Sequence, residues 1–136
     1  MQVSEIMHHG VSMAQINDSI KKVANLMKKE DVGALPIFKN ERPVGFVTDR
    51  DIVISCVAQG ASCDEPISKA MQSDIIFVYE SDDINQATKL MKDNQISRLL
   101  VVDKGDRPVG MISIHDIARN LSDEHLTADL VAEIKR

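Results

Sequence analysis

The chain repeats itself, and this duplication restricts the possible folds more than any other feature of the sequence. Residues 42–51, RPVGFVTDRD, return as residues 107–116, RPVGMISIHD. Residues 4–7 also match residues 68–71 at an offset of 64, and one inserted residue then changes the offset to 65. A half of about 60 residues buries too little surface to be very stable alone. The two halves are therefore expected to pack against each other.

Each half begins with the pattern of an amphipathic helix, and Asp18 and Asp82 are the predicted N-caps of the two helices. Apolar residues form one face of each predicted helix, at Ile20, Val23, Ala24 and Met27 and again at Ile84, Ala87, Leu90 and Met91. Residues 11–13 and 75–79 can each supply a strand before these helices. The order of elements is therefore the same in both halves.

Two nearly all-apolar segments follow each helix, as expected for strands that are covered on both faces. The predicted hairpins pair residues 34–38 with 44–47, and residues 99–102 with 109–112. A second helix is predicted over residues 49–58, closed by Gly60, and over residues 114–120. Each half thus has the order strand, helix, strand, strand, helix. This order predicts an α/β (α+β) fold whose two sheets pack together about a pseudo-twofold axis.

These patterns divide the chain into four parts. Residues 1–60 are predicted as the first repeat, residues 61–66 as a linker, residues 67–121 as the second repeat and residues 122–136 as a C-terminal amphipathic helix. The apolar stripe of that last helix consists of Leu126, Leu130, Val131 and Ile134. Such a stripe suits packing within the protein, and the alternative is a contact with a second copy or another protein.

Composition and charge argue against several classes of function. Sixteen basic and 21 acidic residues give a net charge of -5, which repels nucleic acid, and aromatic residues make up only 3%. The sequence has neither a secretion signal nor 18 consecutive uncharged apolar residues. A cytoplasmic protein without nucleic-acid or membrane partners is therefore expected. Cys56 and Cys63 lack the spacing of a metal or redox motif, so reduced thiols are expected, with a disulfide as the alternative.

The pairs Thr48 with Asp51 and Ser113 with Asp116 have two interpretations, and the spacing leaves both open. Each pair is a capping box if the hydroxyl accepts the N–H three residues later and the carboxylate accepts the N–H of the hydroxyl residue. Each pair is part of a binding site if the helix end and the hydroxyl face an anion. The glycine three residues before each hydroxyl allows a close approach to the strand, although a bulge explains a strand glycine equally well.

The motif Gly-h-h-Thr/Ser-x-x-Asp, in which h is apolar, occurs at residues 45–51 and 110–116. Twin motifs of this kind on a duplicated unit resemble a CBS-domain pair, named for cystathionine β-synthase. Residues 31–37 with 48–53 are similar to the stand-alone, two-repeat bacterial members. The resemblance covers residues 3–121. It implies tandem CBS repeats that form a homodimer and act as a regulatory sensor of adenosine-containing ligands, with AMP, ATP and S-adenosylmethionine as candidates.

The resemblance also implies roles for individual residues. Asp51 and Asp116 would hold ribose hydroxyl groups, and Thr48 and Ser113 would help to bind phosphate. Adenine would lie between apolar strands, where an aromatic platform is not required.

Basic residues must balance the phosphate charge, and Arg50 and Arg98 are the candidates. Arg98 stands where several CBS sequences place a phosphate-contacting Arg, whereas the first repeat has Ala34 there. His115 replaces Arg50 in the second repeat and offers either a pH-sensitive phosphate contact or an ordinary surface residue. A solvated or salt-bridged surface position is the alternative for each Arg.

Three departures from the family pattern are visible, and one of them is that Pro36 has Leu100 as its counterpart. A Thr commonly follows the Met of the opening segment, but His8 and Gln72 stand there, which leaves the identity of the ligand open. His8 and His9 lack further ligands at metal-binding spacing, and no catalytic motif is found, so neither a metal site nor an enzyme is expected. The alternative function is a ligand-free CBS dimer that acts as a protein-interaction or scaffold module. In either case the output would pass to a separate effector protein or to another copy of this chain.

Overall fold

The structure, a computed structural model, describes residues 1–120 and has the mixed α/β fold that the sequence predicts, with two sheets. In chain order the elements are α1 (Val3–Ile6), β1 (His8–His9), β2 (Ala14–Gln15), α2 (Ile20–Glu30), β3 (Ala34–Lys39), β4 (Arg42–Thr48), α3 (Asp49–Ile52), β5 (Phe77–Tyr79), α4 (Ile84–Asn94), β6 (Arg98–Val102), β7 (Pro108–Ser113) and α5 (Ile114–Asn120). The amphipathic helix predicted for residues 122–136 lies outside the described residues.

The chain divides into two compact units. Among the residues that the structure describes, unit 1 combines Met1–Val11 with residues 76–120, and unit 2 is Ser12–Ile75. The sheet of unit 1 has the strand order β1-β7-β6-β5, and the sheet of unit 2 has the order β2-β3-β4. In each unit a long helix joins two parallel strands, and an antiparallel hairpin follows. Within the described residues, no helix is long and apolar enough to span a membrane.

The opening segment of each repeat packs in the unit that the other repeat forms. Val3 and Met7, from the start of the first repeat, lie in the core of unit 1. Ile67 and Ala70, from the start of the second repeat, lie in the core of unit 2. We call residues 3–9 and 67–72 the exchanged segments. Because of this exchange, the sequence repeats and the compact units divide the chain at different places.

Both cores consist of aliphatic side chains and methionine, with one buried cysteine. The core of unit 1 contains Val3, Met7, Val78, Ala87, Met91, Leu99, Val101, Ile112, Ile114 and Ile117. The core of unit 2 contains Ala14, Ile20, Val23, Met27, Leu35, Ile37, Val47, Cys56, Ile67 and Ala70. Strands β3 and β6 are buried over nearly their whole length, as predicted for strands that are covered on both faces. Strands β4 and β7 alternate between buried and half-buried residues, so the same prediction is wrong for them.

The two long helices begin one residue later than predicted. The side chains of Ser19 and Asp83 accept backbone N–H groups of the first turn, at 3.1 and 2.9 Å, and are the N-caps. Asp18 and Asp82 instead accept the backbone N–H three residues earlier, at 2.8 and 3.1 Å, and so close the turn before each helix. The predicted N-caps were wrong because a short acceptor side chain suits a turn as well as a cap.

One strand boundary differs from the sequence prediction, whereas the inserted residue lies where it was predicted. Strand β2 begins beyond the predicted residues 11–13, because those residues carry the chain from unit 1 into unit 2. The inserted residue of the second repeat falls in a hairpin turn, as predicted. Asn40 and Glu41 both have positive φ in the first hairpin, as a two-residue type I′ turn requires, whereas Asp106 alone has positive φ in the longer second turn.

The helix predicted over residues 49–58 changes form along its length. Helix α3 is followed by a π-helical turn over Val53–Val57, and Gly60 then has a φ of 68°, which fits its predicted closing role. Cys56 is buried on this turn, Cys63 is exposed, and both are free thiols. Burial and a hydrogen bond with Cys63 raise the pKa of Cys56, so its thiol resists ionisation.

Candidate functional site

Thr48 and Asp51 form a closed pair of hydrogen bonds where β4 meets α3. Thr48 Oγ1 accepts the Asp51 N–H at 3.1 Å, and Asp51 Oδ2 accepts the Thr48 N–H at 2.9 Å. The capping-box interpretation is therefore confirmed for this pair. The Gln72 side-chain amide lies 3.1 Å from Asp51 Oδ1 and 3.3 Å from Oδ2. The carboxylate thus has a second partner, which comes from an exchanged segment.

Ser113 and Asp116 form the same pair where β7 meets α5. Ser113 Oγ accepts the Asp116 N–H at 3.2 Å, and Asp116 Oδ2 accepts the Ser113 N–H at 2.8 Å. Asp116 Oδ1 forms an ion pair with Arg119 at 2.5 Å, and the Asp116 side chain is only 13% exposed. The two acids therefore cap their helices in the same way, but the second partner is neutral in unit 2 and charged in unit 1.

The motif glycines make room for the exchanged segments. A Cβ on Gly45 would lie 2.5 Å from the carbonyl oxygen of Gln72 and 3.0 Å from the sulfur of Met71. A Cβ on Gly110 would overlap the carbonyl oxygen of His8 in the same way and would lie 3.2 Å from the sulfur of Met7. The close approach expected at these glycines is thus made by the protein's own backbone.

The structure pairs one predicted basic residue with a motif serine across two strands and leaves the other two at the surface. Arg98 is paired with Ser113 across β6 and β7, and directly paired residues of antiparallel strands lie on the same face. Ala34 occupies the equivalent position in unit 2 and is paired with the motif threonine. Arg50 and His115 are exposed in the first turns of α3 and α5.

Each strand-helix junction can therefore bind a group that has hydroxyl donors next to an anion. The carboxylate accepts hydrogen bonds from hydroxyl groups, and in unit 1 an arginine is the cross-strand neighbour of the motif serine. A groove of about 450 Å³ in unit 2, lined by residues of α2 and α3, includes none of the seven predicted site residues in its lining. Among residues 1–120, no three His, Cys, Asp or Glu side chains are placed to hold a metal.

The two repeats of the chain match the model of a known protein family. The family model of the CBS domain matches residues 3–57 and, a second time, residues 67–123. The chain belongs to the CBS-domain family. Both junctions of this CBS pair lie inside the matched regions, so the resemblance found in the sequence motifs is confirmed.

Proteins of known structure support the assignment of a CBS pair. Hypoxic response protein 1 from Mycobacterium tuberculosis is 32% identical over 132 residues, which are 96% of this chain and 91% of that protein. A solved structure of Hypoxic Response Protein I with two coordinated zinc ions is 31% identical, with a TM-score of 0.79, and the match covers 89% of this chain and 99% of that chain.

Two other solved CBS structures contain adenosine compounds. The CBS domain protein PAE2072 from Pyrobaculum aerophilum, complexed with AMP, is 27% identical, with a TM-score of 0.80 and a match over 97% of this chain and 99% of that chain. The CBS domain pair of protein MJ0100, in complex with 5′-methylthioadenosine and S-adenosyl-L-methionine, is 28% identical, with a TM-score of 0.78 and a match over 88% and 94%.

Two residues of this CBS pair contact the motif acids but were not predicted from the sequence. Arg119 follows Asp116 by three residues, and such spacing on a helix brings opposite charges together, so this ion pair could have been found. Gln72 contacts Asp51 across 21 residues of sequence. The departure from the family pattern at Gln72 was visible, but only the fold shows which acid it reaches.

Proposed function

We propose that this CBS pair is a regulatory module that binds adenosine-containing nucleotides, with AMP and ATP as the preferred candidates and S-adenosylmethionine as a further one. The observation that carries the proposal is the pairing of a hydroxyl with a carboxylate at the same junction of both units. In this proposal Asp51 and Asp116 accept hydrogen bonds from the ribose hydroxyl groups, and Thr48 and Ser113 lie toward the phosphate. Arg50, Arg98 and His115 supply donors to the phosphate oxygens.

The ligands of related CBS structures support the choice of adenosine. AMP, 5′-methylthioadenosine and S-adenosylmethionine share the adenosine group and differ at the 5′ position, where they carry a phosphate, a thioether and a sulfonium. A carboxylate that binds the ribose recognises all three. A guanidinium near the 5′ position favours the phosphate and disfavours the cationic sulfonium. Because Arg98 is paired with Ser113, we expect unit 1 to prefer AMP or ATP to S-adenosylmethionine.

Thermal denaturation of the full chain with and without each nucleotide tests the proposal. A ligand at 100 times its Kd stabilises the folded state by about 2.7 kcal/mol. For a chain of this size, that stabilisation raises the Tm by roughly 10 °C. A Tm that does not change with AMP, ATP or S-adenosylmethionine at millimolar concentration would contradict the proposal. Guanosine monophosphate is the matched control for the base.

The proposed module acts as a homodimer, and an apolar surface of unit 2 supports this part of the proposal. Val53, Ile54 and Val57 are 55%, 47% and 65% exposed on the π-helical turn after α3. Covering such side chains removes apolar area from water and is favourable. A second copy of the chain presents the same surface, so a twofold contact between copies covers both.

Replacement of both Val53 and Val57 by Asp is expected to convert the dimer into a monomer, because burial of unpaired carboxylates is unfavourable. Native mass spectrometry measures the copy number and any retained nucleotide in the same experiment. Met13→Asp, at another exposed apolar residue of unit 2, is the control and is expected to leave the dimer intact. A double variant that keeps the copy number of the wild type would count against this surface.

The regulatory output in this proposal is a change in conformation or dimer stability that a separate effector protein detects. Ligand binding changes such an equilibrium only to the extent that the two states differ in affinity. The module is proposed to act in the cytoplasm and to bind without catalysing a reaction.

A further inference from the structure

We propose that Gln72 is an internal competitor for the ribose hydroxyl groups at Asp51 and so lowers the nucleotide affinity of unit 2. This inference rests on the proposed function. The feature that carries it is the position of one nitrogen atom, Gln72 Nε2, which lies 3.1 Å from Asp51 Oδ1 and 3.3 Å from Asp51 Oδ2.

The amide occupies acceptor positions that a ribose would need. A carboxylate has about four acceptor positions, two on each oxygen. The Thr48 N–H takes one position on Asp51 Oδ2, and the Gln72 amide, shared between the two oxygens, takes one position on each. About one position remains free. A ribose with two free hydroxyl groups brings two donors that need the same pair of oxygens. The amide must therefore leave before both hydroxyl groups can bind.

The Gln72 side chain can leave without any movement of the backbone that carries it. Its backbone N–H and carbonyl are both hydrogen-bonded to Phe46, at 2.8 Å each, in an antiparallel bridge. The side chain itself is exposed, so water replaces Asp51 as its partner once it rotates away. The ligand has to break one charge-assisted hydrogen bond. Gln72 therefore reduces affinity and does not block the site completely.

The equivalent acid in unit 1 has a different kind of partner. Asp116 Oδ1 is paired with Arg119, which lies three residues later in the sequence. His8 occupies the sequence position that corresponds to Gln72, and within residues 1–120 no hydrogen bond joins it to Asp116. A competitor from an exchanged segment is therefore found in unit 2, while unit 1 has a local ion pair. We expect the two sites to differ in affinity for this reason.

The test uses the full chain with AMP as the probe in isothermal titration calorimetry. The parent protein carries Asp116→Asn, which leaves Asp51 as the one intact ribose acid. Gln72→Met removes the amide donors and keeps the side-chain length, and Gln72→Ala removes the side chain beyond Cβ. Both variants are expected to lower the Kd for AMP by about tenfold, the low end of the effect of removing a hydrogen bond to a charged group, because the Gln72 side chain is exposed. His8→Ala is the control and is expected to leave the Kd unchanged.

The possible results separate this inference from the proposed function. An unchanged or higher Kd in both Gln72 variants, with AMP still bound by the parent, overturns the inference and leaves the proposed function intact. A parent and variants that all fail to bind AMP overturn both. If Asp116→Asn does not fold, the same Gln72 variants are made in the wild-type chain. Native mass spectrometry then counts the bound AMP.

A second measurement needs no variant. The side-chain amide resonance of Gln72 in the wild-type protein is expected to shift when AMP is added, because the amide exchanges Asp51 for water. A Gln72 amide signal that stays in place while the backbone signals of Thr48 and Asp51 shift overturns the inference.

Discussion

Gly110→Ala is expected to lower the free energy of unfolding by about 3 kcal/mol, because overpacking that forces a backbone shift costs this much. The new Cβ would overlap the carbonyl oxygen of His8. That oxygen belongs to β1, which pairs with β7, so it cannot move without loss of strand pairing. Gly45→Ala is expected to have a similar effect through the carbonyl oxygen of Gln72. Urea unfolding followed by circular dichroism measures both values.

The control for these substitutions is Gly105→Ala. A Cβ on Gly105 would have its nearest contacts at 3.5 and 3.6 Å, which are ordinary van der Waals distances. Its stability is expected to stay within about 1 kcal/mol of the wild type, since the substitution mainly restricts the unfolded chain. Hydrogen exchange adds a local test: the backbone amides of residues 8–10 should exchange faster in Gly110→Ala. Equal stability of Gly110→Ala and Gly105→Ala would show that the exchanged segment does not pack as described.

Asp51→Asn and Asp116→Asn are each expected to weaken AMP binding at their own site by about 100-fold. Each substitution replaces charge-assisted hydrogen bonds to the ribose, worth about 1.5–3 kcal/mol each, by weaker neutral ones. Asparagine can still accept the N–H of Thr48 or Ser113, so the capping box is largely retained and the effect on folding is small. Titration calorimetry with AMP, together with a thermal scan of each variant, separates the two effects.

Asp49→Asn is the matched control for the loss of one negative charge. Asp49 lies in the same turn as Asp51, is exposed, and accepts the Arg50 N–H at 2.8 Å. We expect its substitution to leave AMP binding almost unchanged. If Asp49→Asn weakens binding as much as Asp51→Asn does, the general electrostatic field and not the ribose contact controls affinity. The double variant Asp51→Asn with Asp116→Asn should bind AMP about 100-fold more weakly at both sites.

Local sequence signals predicted most of the elements but not the packing of the opening segments. The repeated apolar periods located both long helices and both hairpins, because burial imposes these periods directly. The apolar positions Val3 and Met7 could fit the core of either unit. Their sequence contains no signal for the choice, which is made by backbone pairing with β7 at His8 and His9. The exchange could therefore not be predicted from one sequence.

The sequence predicted the paired side chains of the candidate site but not their long-range partner. The pairs Thr48 with Asp51 and Ser113 with Asp116 were found because capping geometry depends on a spacing of three residues. The structure confirms the capping box, and the proposed binding role uses the same hydroxyl and carboxylate groups. Gln72 was not predicted because its contact with Asp51 depends on the backbone bridge to Phe46. Such long-range pairing cannot be inferred from the spacing of residues in the sequence.

The exchanged segments bear on how a protein of this kind can arise by duplication. Each repeat has an opening segment and a motif glycine that leaves room for such a segment, yet each opening segment packs against the motif glycine of the other repeat. A single ancestral repeat would have left its opening segment and its motif glycine without a packing partner. Two identical molecules could have exchanged their opening segments. Fusion of two such genes would then have converted a packing contact between two molecules into a contact within one chain.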